Sequence, residues 1–250
     1  MTVREVYDFL NSVAPYNTQC EWDNSGLMTG SFEAEFDSVM LCLDCTNDVI
    51  EQAAANGCKL IISHHPLIFK PLKCVEADTP LYNAIKNGIT VLSCHTNLDM
   101  AKDGVNDTLC SLLDIKDVQP LVAENSPFMR MGETDEMSAK DFASFVRNKL
   151  NECVRLTSCG KTVKKVAVCG GAGGEYIPVA ADAGCDTFVT GEAKHHEHLL
   201  AQMYGINLLV AGHFSTEKDV LQTLCDKLLK AFPRHPVYIA YEECPYETVV

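Results

Sequence analysis

Short apolar runs recur along the chain at 38–43, 58–63 and 89–94, and again at 163–169, 185–190 and 206–211. Each is six or seven residues long, bounded by glycine or polar positions and separated from the next by a helical pattern. Strands alternating with helices predict a mostly parallel or mixed sheet covered by helices. Thr2 and Glu5 carry the capping-box spacing ahead of a first helix through about Val13, which Pro15 ends. A loop with Trp22, Asp23, Asn24 and Gly26 follows. Thr79-Pro80 marks a helix start and Gly88 its stop. Met129 and Met131 read as strand or interface packing.

The pattern also repeats itself. A shift of 127 places Val39 on Val166, Cys42 on Cys169, Ile50 on Ile177 and Gly57-Cys58 on Gly184-Cys185 without a gap. Gly88-Ile89 falls on Gly205-Ile206 at a shift of 117, and at 118 His95 falls on His213 and Asp99 on Glu217. Each half reads strand, helix ending in Gly, strand, helix ending in Gly, strand, then His-x-x-x-carboxylate. The expected organisation is an α/β fold of two repeats, residues 1–122 and 123–250, joined near 120–137, with ends open to exchange between them. Duplication of this kind would bring equivalent strand ends face to face.

Composition narrows the class. Of 250 residues, 47% are hydrophobic and 22% charged, which fits an ordinary globular chain. Lys and Arg number 20 against 34 Asp and Glu, and a formal charge of −14 disfavours nucleic acid and anionic lipid as partners. No run approaches the roughly 20 apolar residues that span a bilayer. The first ten residues hold Arg4, Glu5 and Asp8 rather than a signal-peptide apolar run, so a cytoplasmic location is expected. The 13 cysteines are odd in number and mostly sit inside apolar runs, as reduced thiols packed like small hydrophobes do. Cys42 and Cys45 form a lone C-x-x-C with no second pair, so a zinc ribbon is excluded.

The polar clusters fall just past strand ends, where open α/β sheets place their sites. Ser63-His64-His65-Pro66, His95-Thr96-Asn97-Leu98-Asp99 and Gly212-His213-Phe214-Ser215-Thr216-Glu217 all occupy such positions. Neighbouring residues of a strand point to opposite faces, so His64 and His65 serve one site only if the chain leaves strand geometry, which Pro66 permits. A helix beginning near Ser215 would put Glu217 in its first turn. One strand-end histidine is usually a hydrogen-bonded structural residue; several at equivalent ends of a repeated chain point to a metal. His64, His65, Asp99, His213 and Glu217 are the candidate ligands, and imidazoles with carboxylates suit two divalent ions among Zn, Mn, Fe, Co and Ni. His95 mirrors His213 and reads as a ligand-supporting or substrate-contacting group. Gly170-Gly171-Ala172-Gly173-Gly174 follows a strand and opens a helix; it is either an anion cradle of backbone N–H groups or a tight βα turn. Glu192 takes the place of His64-His65 in the repeat and, with His95, is a candidate proton shuttle; His195 is a candidate substrate contact, while His196 and His198 fit a solvated face equally well.

His-His-Pro-Leu-Ile-Phe at 64–69, His-Thr-Asn-Leu-Asp at 95–99, Thr-Gly-Glu at 190–192 and Gly-His-x-x-Thr-Glu at 212–217 resemble the motifs of the NIF-three-like dinuclear metal centre proteins, often labelled type-2 GTP cyclohydrolase I homologues. The resemblance spans nearly the whole chain and matches the short members, which lack a domain inserted between the halves. It implies two intertwined α/β repeats with mixed sheets, a two-metal site in the cleft between them, and a homohexameric ring. It also implies His64, His65, Asp99, His213 and Glu217 as ligands, the same five that spacing selects. The expected function is a metal-dependent hydrolase of a nucleotide, GTP cyclohydrolase-like, or of another phosphorylated small molecule. The alternative is a non-catalytic metal-handling or assembly scaffold.

Overall fold

The computed structural model describes residues 1–123 and 126–247. The chain begins with α1 (Val3–Val13), β1 (Gly26–Thr29), β2 (Val39–Cys42), α2 (Asn47–Ala55), β3 (Leu60–Ser63), α3 (Pro80–Lys86), β4 (Thr90–Ser93), α4 (Thr96–Met100) and α5 (Val105–Leu112). A long pair of strands follows, β5 (Lys116–Ala123) and β6 (Ser126–Met137). The remainder runs α6 (Ala139–Leu150), β7 (Arg155–Thr157), β8 (Val163–Cys169), α7 (Ile177–Asp182), β9 (Thr187–Thr190), α8 (His195–Tyr204), β10 (Asn207–Val210), α9 (His213–Glu217), α10 (Val220–Ala231) and β11 (Val237–Ile239). The fold is α/β with two mixed sheets, as the strand–helix alternation predicts. Among the described residues no helix is long and apolar enough to cross a membrane.

The expected local signals hold. Thr2 accepts from the Glu5 amide while Glu5 reaches back to Thr2, the reciprocal cap that starts α1. Thr79 caps α3 with Pro80 in its first turn. Gly205 ends α8 in the left-handed conformation that a Cβ disfavours.

One compact unit comprises Met1–Lys102 and Val220–Glu243. Its sheet has the order β1-β4-β3-β2-β11, with β1 antiparallel to β4 and the other pairs parallel. Every residue of β2, β3 and β4 is buried, which is why these strands read as unbroken apolar runs instead of alternating ones. Met40, Val49, Ile50, Ile61, Ile89 and Val91 meet in its core.

The second unit comprises Asp103–Asp219 and the segment from Cys244. Its sheet runs β5-β6-β8-β9-β10-β7, with β8, β9 and β10 parallel and the remaining pairs antiparallel. The division differs from a break at 122/123 because Leu109, Leu113 and Ile115 pack into the core of Phe142, Val146, Val166 and Leu209. Residues 103–122 therefore stand with the second unit, and α10 with β11 returns to the first. Both units carry the series of three parallel strands joined by helices, with an antiparallel strand beside the third: β1 by β4, β7 by β10.

Cysteines stay free thiols. Burial pushes Cys110 up to about 12 and Cys185 to about 11, so both remain protonated core groups.

Phe142 is fully buried among branched aliphatic side chains. Phe142→Ala is expected to lower the unfolding free energy by about 3–5 kcal/mol, read from the shift of a urea denaturation midpoint.

Candidate metal centre

Register sets where the polar side chains emerge. In the first unit Cys42 pairs with Ser63 and Ser63 with Ser93, so β2, β3 and β4 end level with one another. Asp44, His64-His65 and His95 come one or two residues later, all off the same edge of the sheet.

The two neighbouring histidines do leave strand geometry. Their successive amides donate to successive carbonyls of one neighbour, His64 N–H to Cys42 and His65 N–H to Leu43, both at 2.9 Å. In a continuing strand these amides would point to opposite sides. The Ser63 hydroxyl donates to the His65 carbonyl at 2.8 Å and shares a 2.7 Å hydrogen bond with Ser93, which pins the bend. The rings of His64 and His65 then lie 4.9 Å apart, centroid to centroid. His95 joins them, its ring 5.3 Å from that of His64 and 5.5 Å from that of His65. One ring nitrogen from each of the three lies within 4.8 Å of the other two.

Each of these rings is held through Nδ1. His64 Nδ1 donates to the Cys94 carbonyl at 2.9 Å, His65 Nδ1 to Asp44 Oδ1 at 2.8 Å and His95 Nδ1 to Asp23 Oδ1 at 2.8 Å. An acceptor on Nδ1 fixes the Nδ1–H tautomer and turns the lone pair of Nε2 outward, the arrangement of metal-binding histidines. His64 Nε2 stands 3.8 Å from Asp99 Oδ1. The Asp23 side chain is buried and serves several donors, among them the Thr96 amide at 3.0 Å. Burial pushes its carboxyl up, but hydrogen bonding and charge from His95, with Thr96 and Asn24, outweigh this and hold it below the usual range. Glu242 accepts from the amides of Leu43 and Asp44 at 2.8 and 2.9 Å, fixing the turn that carries Asp44, and burial raises its own carboxyl.

The second unit builds a smaller cluster in the same way. Cys169 pairs with Thr190 and Thr190 with Val210, so Gly170–Gly171, Gly191–Glu192 and Gly212–His213 leave one edge together. His213 Nδ1 donates to Glu192 Oε1 at 3.1 Å, and His213 Nε2 lies 3.2 Å from Glu217 Oε2. The helix α9 begins at His213 instead of near Ser215, so Glu217 ends it and the first-turn argument does not apply. The four-residue spacing on one helical face is what joins the pair.

Three amides of the glycine loop are engaged within the protein. The Gly170 amide donates to Asn106 Oδ1 at 2.8 Å, that of Gly171 to Thr216 Oγ1 at 3.1 Å and that of Gly173 to Thr190 Oγ1 at 2.9 Å. Those donors are spent inside the protein. The glycines serve close approach: a Cβ on Gly171, at φ +63°, would meet Glu217 Oε1 and His213 Nε2, and one on Gly174 would meet Glu197. Gly212, at φ +81°, likewise leaves no room for a Cβ beside Glu152.

A cavity of about 640 Å³ opens in this unit, lined by Glu152, Arg155, Gly174, Glu192, Lys194 and Tyr246 among others. His195 begins α8 as an exposed side chain and does not line this cavity. His198 shares a 2.6 Å hydrogen bond with Thr157, and burial, with Arg155 and His195 nearby, lowers its pKa. His196 is exposed beside Glu197.

Sequence reasoning missed Asp23 and Asp44 as the groups behind the imidazoles, and Glu242 as the group that holds the Asp44 turn. Asp44 carries a usable signal, since it stands just past the end of β2 as His65 does past β3. Asp23 and Glu242 arrive from distant loops and carry none.

The family model described as Duf34/NIF3 (NGG1p interacting factor 3) matches residues 1–245 of the chain. This chain belongs to the DUF34/NIF3 family. It is 35% identical over 256 residues to a Campylobacter jejuni protein named GTP cyclohydrolase 1 type 2 homolog, covering 99% of both chains. A Clostridium perfringens protein of the same name is 31% identical, covering both chains in full. A Staphylococcus aureus hypothetical protein of known structure superimposes with a TM-score of 0.91 at 28% identity, over 100% of this chain and 99% of that one. The NIF3 fold thus carries, in this member, candidate metal-binding groups of histidine and carboxylate.

At a pH where the imidazoles are neutral, long-range proton–nitrogen NMR of the metal-free protein is expected to show His64, His65 and His95 as Nδ1–H tautomers. Asp23→Asn should release His95 from that form and leave His64 in it.

Proposed function

We propose that this protein is a metal-dependent hydrolase, with two divalent ions held by His64, His65, Asp99, His213 and Glu217. Its substrate in this reading is a nucleotide, as in GTP cyclohydrolase chemistry, or another phosphorylated small molecule. The observation that carries the reading is the shared posture of the strand-end imidazoles: His64, His65 and His213 each give Nδ1–H to an acceptor, and Nε2 of His64 and of His213 faces a carboxylate, Asp99 at 3.8 Å and Glu217 at 3.2 Å. The names of the curated relatives support the nucleotide part. The donor set fits the metals as well, since three imidazoles and two carboxylates suit Zn, Mn, Fe, Co or Ni better than Ca or Mg.

When bound, such ions supply Lewis acidity and lower the pKa of water toward about 7. The chain's own residues do the rest. Glu192, half exposed beside the cavity, orients His213 and can move a proton at its carboxylate. His95, held by Asp23, is the second proton-handling candidate. Arg155 and Lys194 offer the cavity wall two cations beside the carboxylates of Glu152, Glu175, Glu192 and Glu197, and these two would have to meet any phosphate directly. In this reading the protein works as a homohexameric ring in the cytoplasm, with neither nucleic acid nor membrane as partner.

Protein loaded with Mn or Zn is expected to turn over at least one member of a nucleotide and phosphoester panel. Asp44→Asn should weaken metal binding by about 10- to 100-fold in calorimetry. Glu192→Gln should lower kcat by roughly 100-fold or more if it carries the proton. Absence of turnover with every metal, alike in the natural protein and His64→Ala, would contradict hydrolysis. If metal is also readily exchanged, the scaffold reading is the one left standing.

A further inference from the structure

We infer that Trp22 and Phe69 form an aromatic platform that stacks against the planar heteroaromatic ring of the substrate, beside the imidazole cluster of the first unit. This rests on reading that cluster as a small-molecule site, and it adds the part of the substrate that the metals do not contact.

Both rings are large, apolar and exposed, Trp22 by 57% and Phe69 by 46%. A single exposed ring is unremarkable on a protein surface. These two differ in where they stand. Their centroids are 5.9 Å apart, and each lies about one ring's breadth from His95, at 6.0 Å for Trp22 and 6.1 Å for Phe69. His95 in turn packs against His64 and His65. Aromatic surface and candidate ligands are therefore continuous.

The segments that carry the rings are also tied together by polar contacts. Next to Trp22, Asp23 accepts from His95 Nδ1 at 2.8 Å and from the Thr96 amide at 3.0 Å. Its neighbour Asn24 donates from Nδ2 to the carbonyl of Ile68 at 2.6 Å, which ties the Trp22 loop to the residue preceding Phe69. One short loop thus links the two backbone segments that carry the aromatic side chains to one imidazole. Two adjacent exposed rings leave apolar area in water, with no return from the fold's own core. A planar π-system stacked on one of them meets the other at an incline, since their planes cross at 49°, and covers that area. Purines and similar fused rings satisfy this chemistry, and stacking tolerates differences in their edge groups.

Trp22 is the only tryptophan among the 250 residues, so its emission reports on the platform alone. Titration with guanosine 5′-monophosphate is expected to quench that emission saturably, and ribose 5-phosphate is expected to leave it unchanged. By calorimetry, Trp22→Ala and Phe69→Ala should each weaken nucleotide binding roughly 5- to 150-fold, the loss of one base–aromatic stack, while Trp22→Phe should restore most of it. No saturable quenching by the nucleotide, or equal quenching by ribose 5-phosphate, would overturn the platform. So would unchanged affinity in Trp22→Ala accompanied by a smaller sedimenting species, which would assign the rings to contact with another copy. Mn titration of the same preparation separates the two proposals. Metal bound without quenching sinks the platform alone, and quenching in a protein that binds no Mn sinks the metal reading alone.

Discussion

An imidazole at the end of a strand has two free torsions and two nitrogens, and nothing in its own chemistry decides which nitrogen faces outward. In this protein a hydrogen bond at Nδ1 makes that decision at four histidines, and the register of the sheets supplies the acceptors. Because β2, β3 and β4 end level, Asp44 arrives beside His65, and the carbonyl of Cys94 beside His64. In the second unit the level ends of β8, β9 and β10 bring Glu192 to His213 by the same rule. A slip of one residue in either sheet would turn every one of these side chains to the opposite face.

The same economy governs the backbone. Loops at the strand ends have to pass close to bulky polar groups, and glycine is used where a Cβ would strike one. Gly171 clears His213 and Glu217, and Gly212 clears Glu152. The amides of Gly170, Gly171 and Gly173 donate to Asn106, Thr216 and Thr190, so the loop holds the cluster in shape. Arg155 and Lys194 stand on the cavity wall among Glu152, Glu175, Glu192 and Glu197.

Much of this was legible in the order of residues. Unbroken apolar runs gave β2, β3, β4, β8, β9 and β10 to within two residues, because strands buried on both faces leave little polar signal to confuse them. Edge strands were not legible: β1, β7 and β11 lie at sheet edges without a comparable apolar run, and the β5–β6 pair reads as a connection because its polar residues mask the pleat. The strand-end rule found His64, His65, His95 and His213, since a site past a strand's carboxyl end depends only on local sequence. It could not find Asp23, which reaches His95 across 72 positions, or Glu242, which reaches the turn at Leu43 and Asp44 across 199 and 198. Partners brought together by tertiary folding leave no periodic trace. The loop at 170–174 is ambiguous for the opposite reason: glycines that permit close approach to a ligand and glycines that permit close approach to a side chain look identical in sequence.

The account turns on Nε2 being the atom that binds. Anomalous diffraction from crystals soaked in Zn tests this directly. It predicts two peaks, with Nε2 of His64, His65 and His213 about 2.0–2.1 Å from one or other of them and carboxylate oxygens of Asp99 and Glu217 completing the shells. Peaks absent from these residues, or bonded through Nδ1 with the Asp44 and Cys94 hydrogen bonds broken, would contradict it.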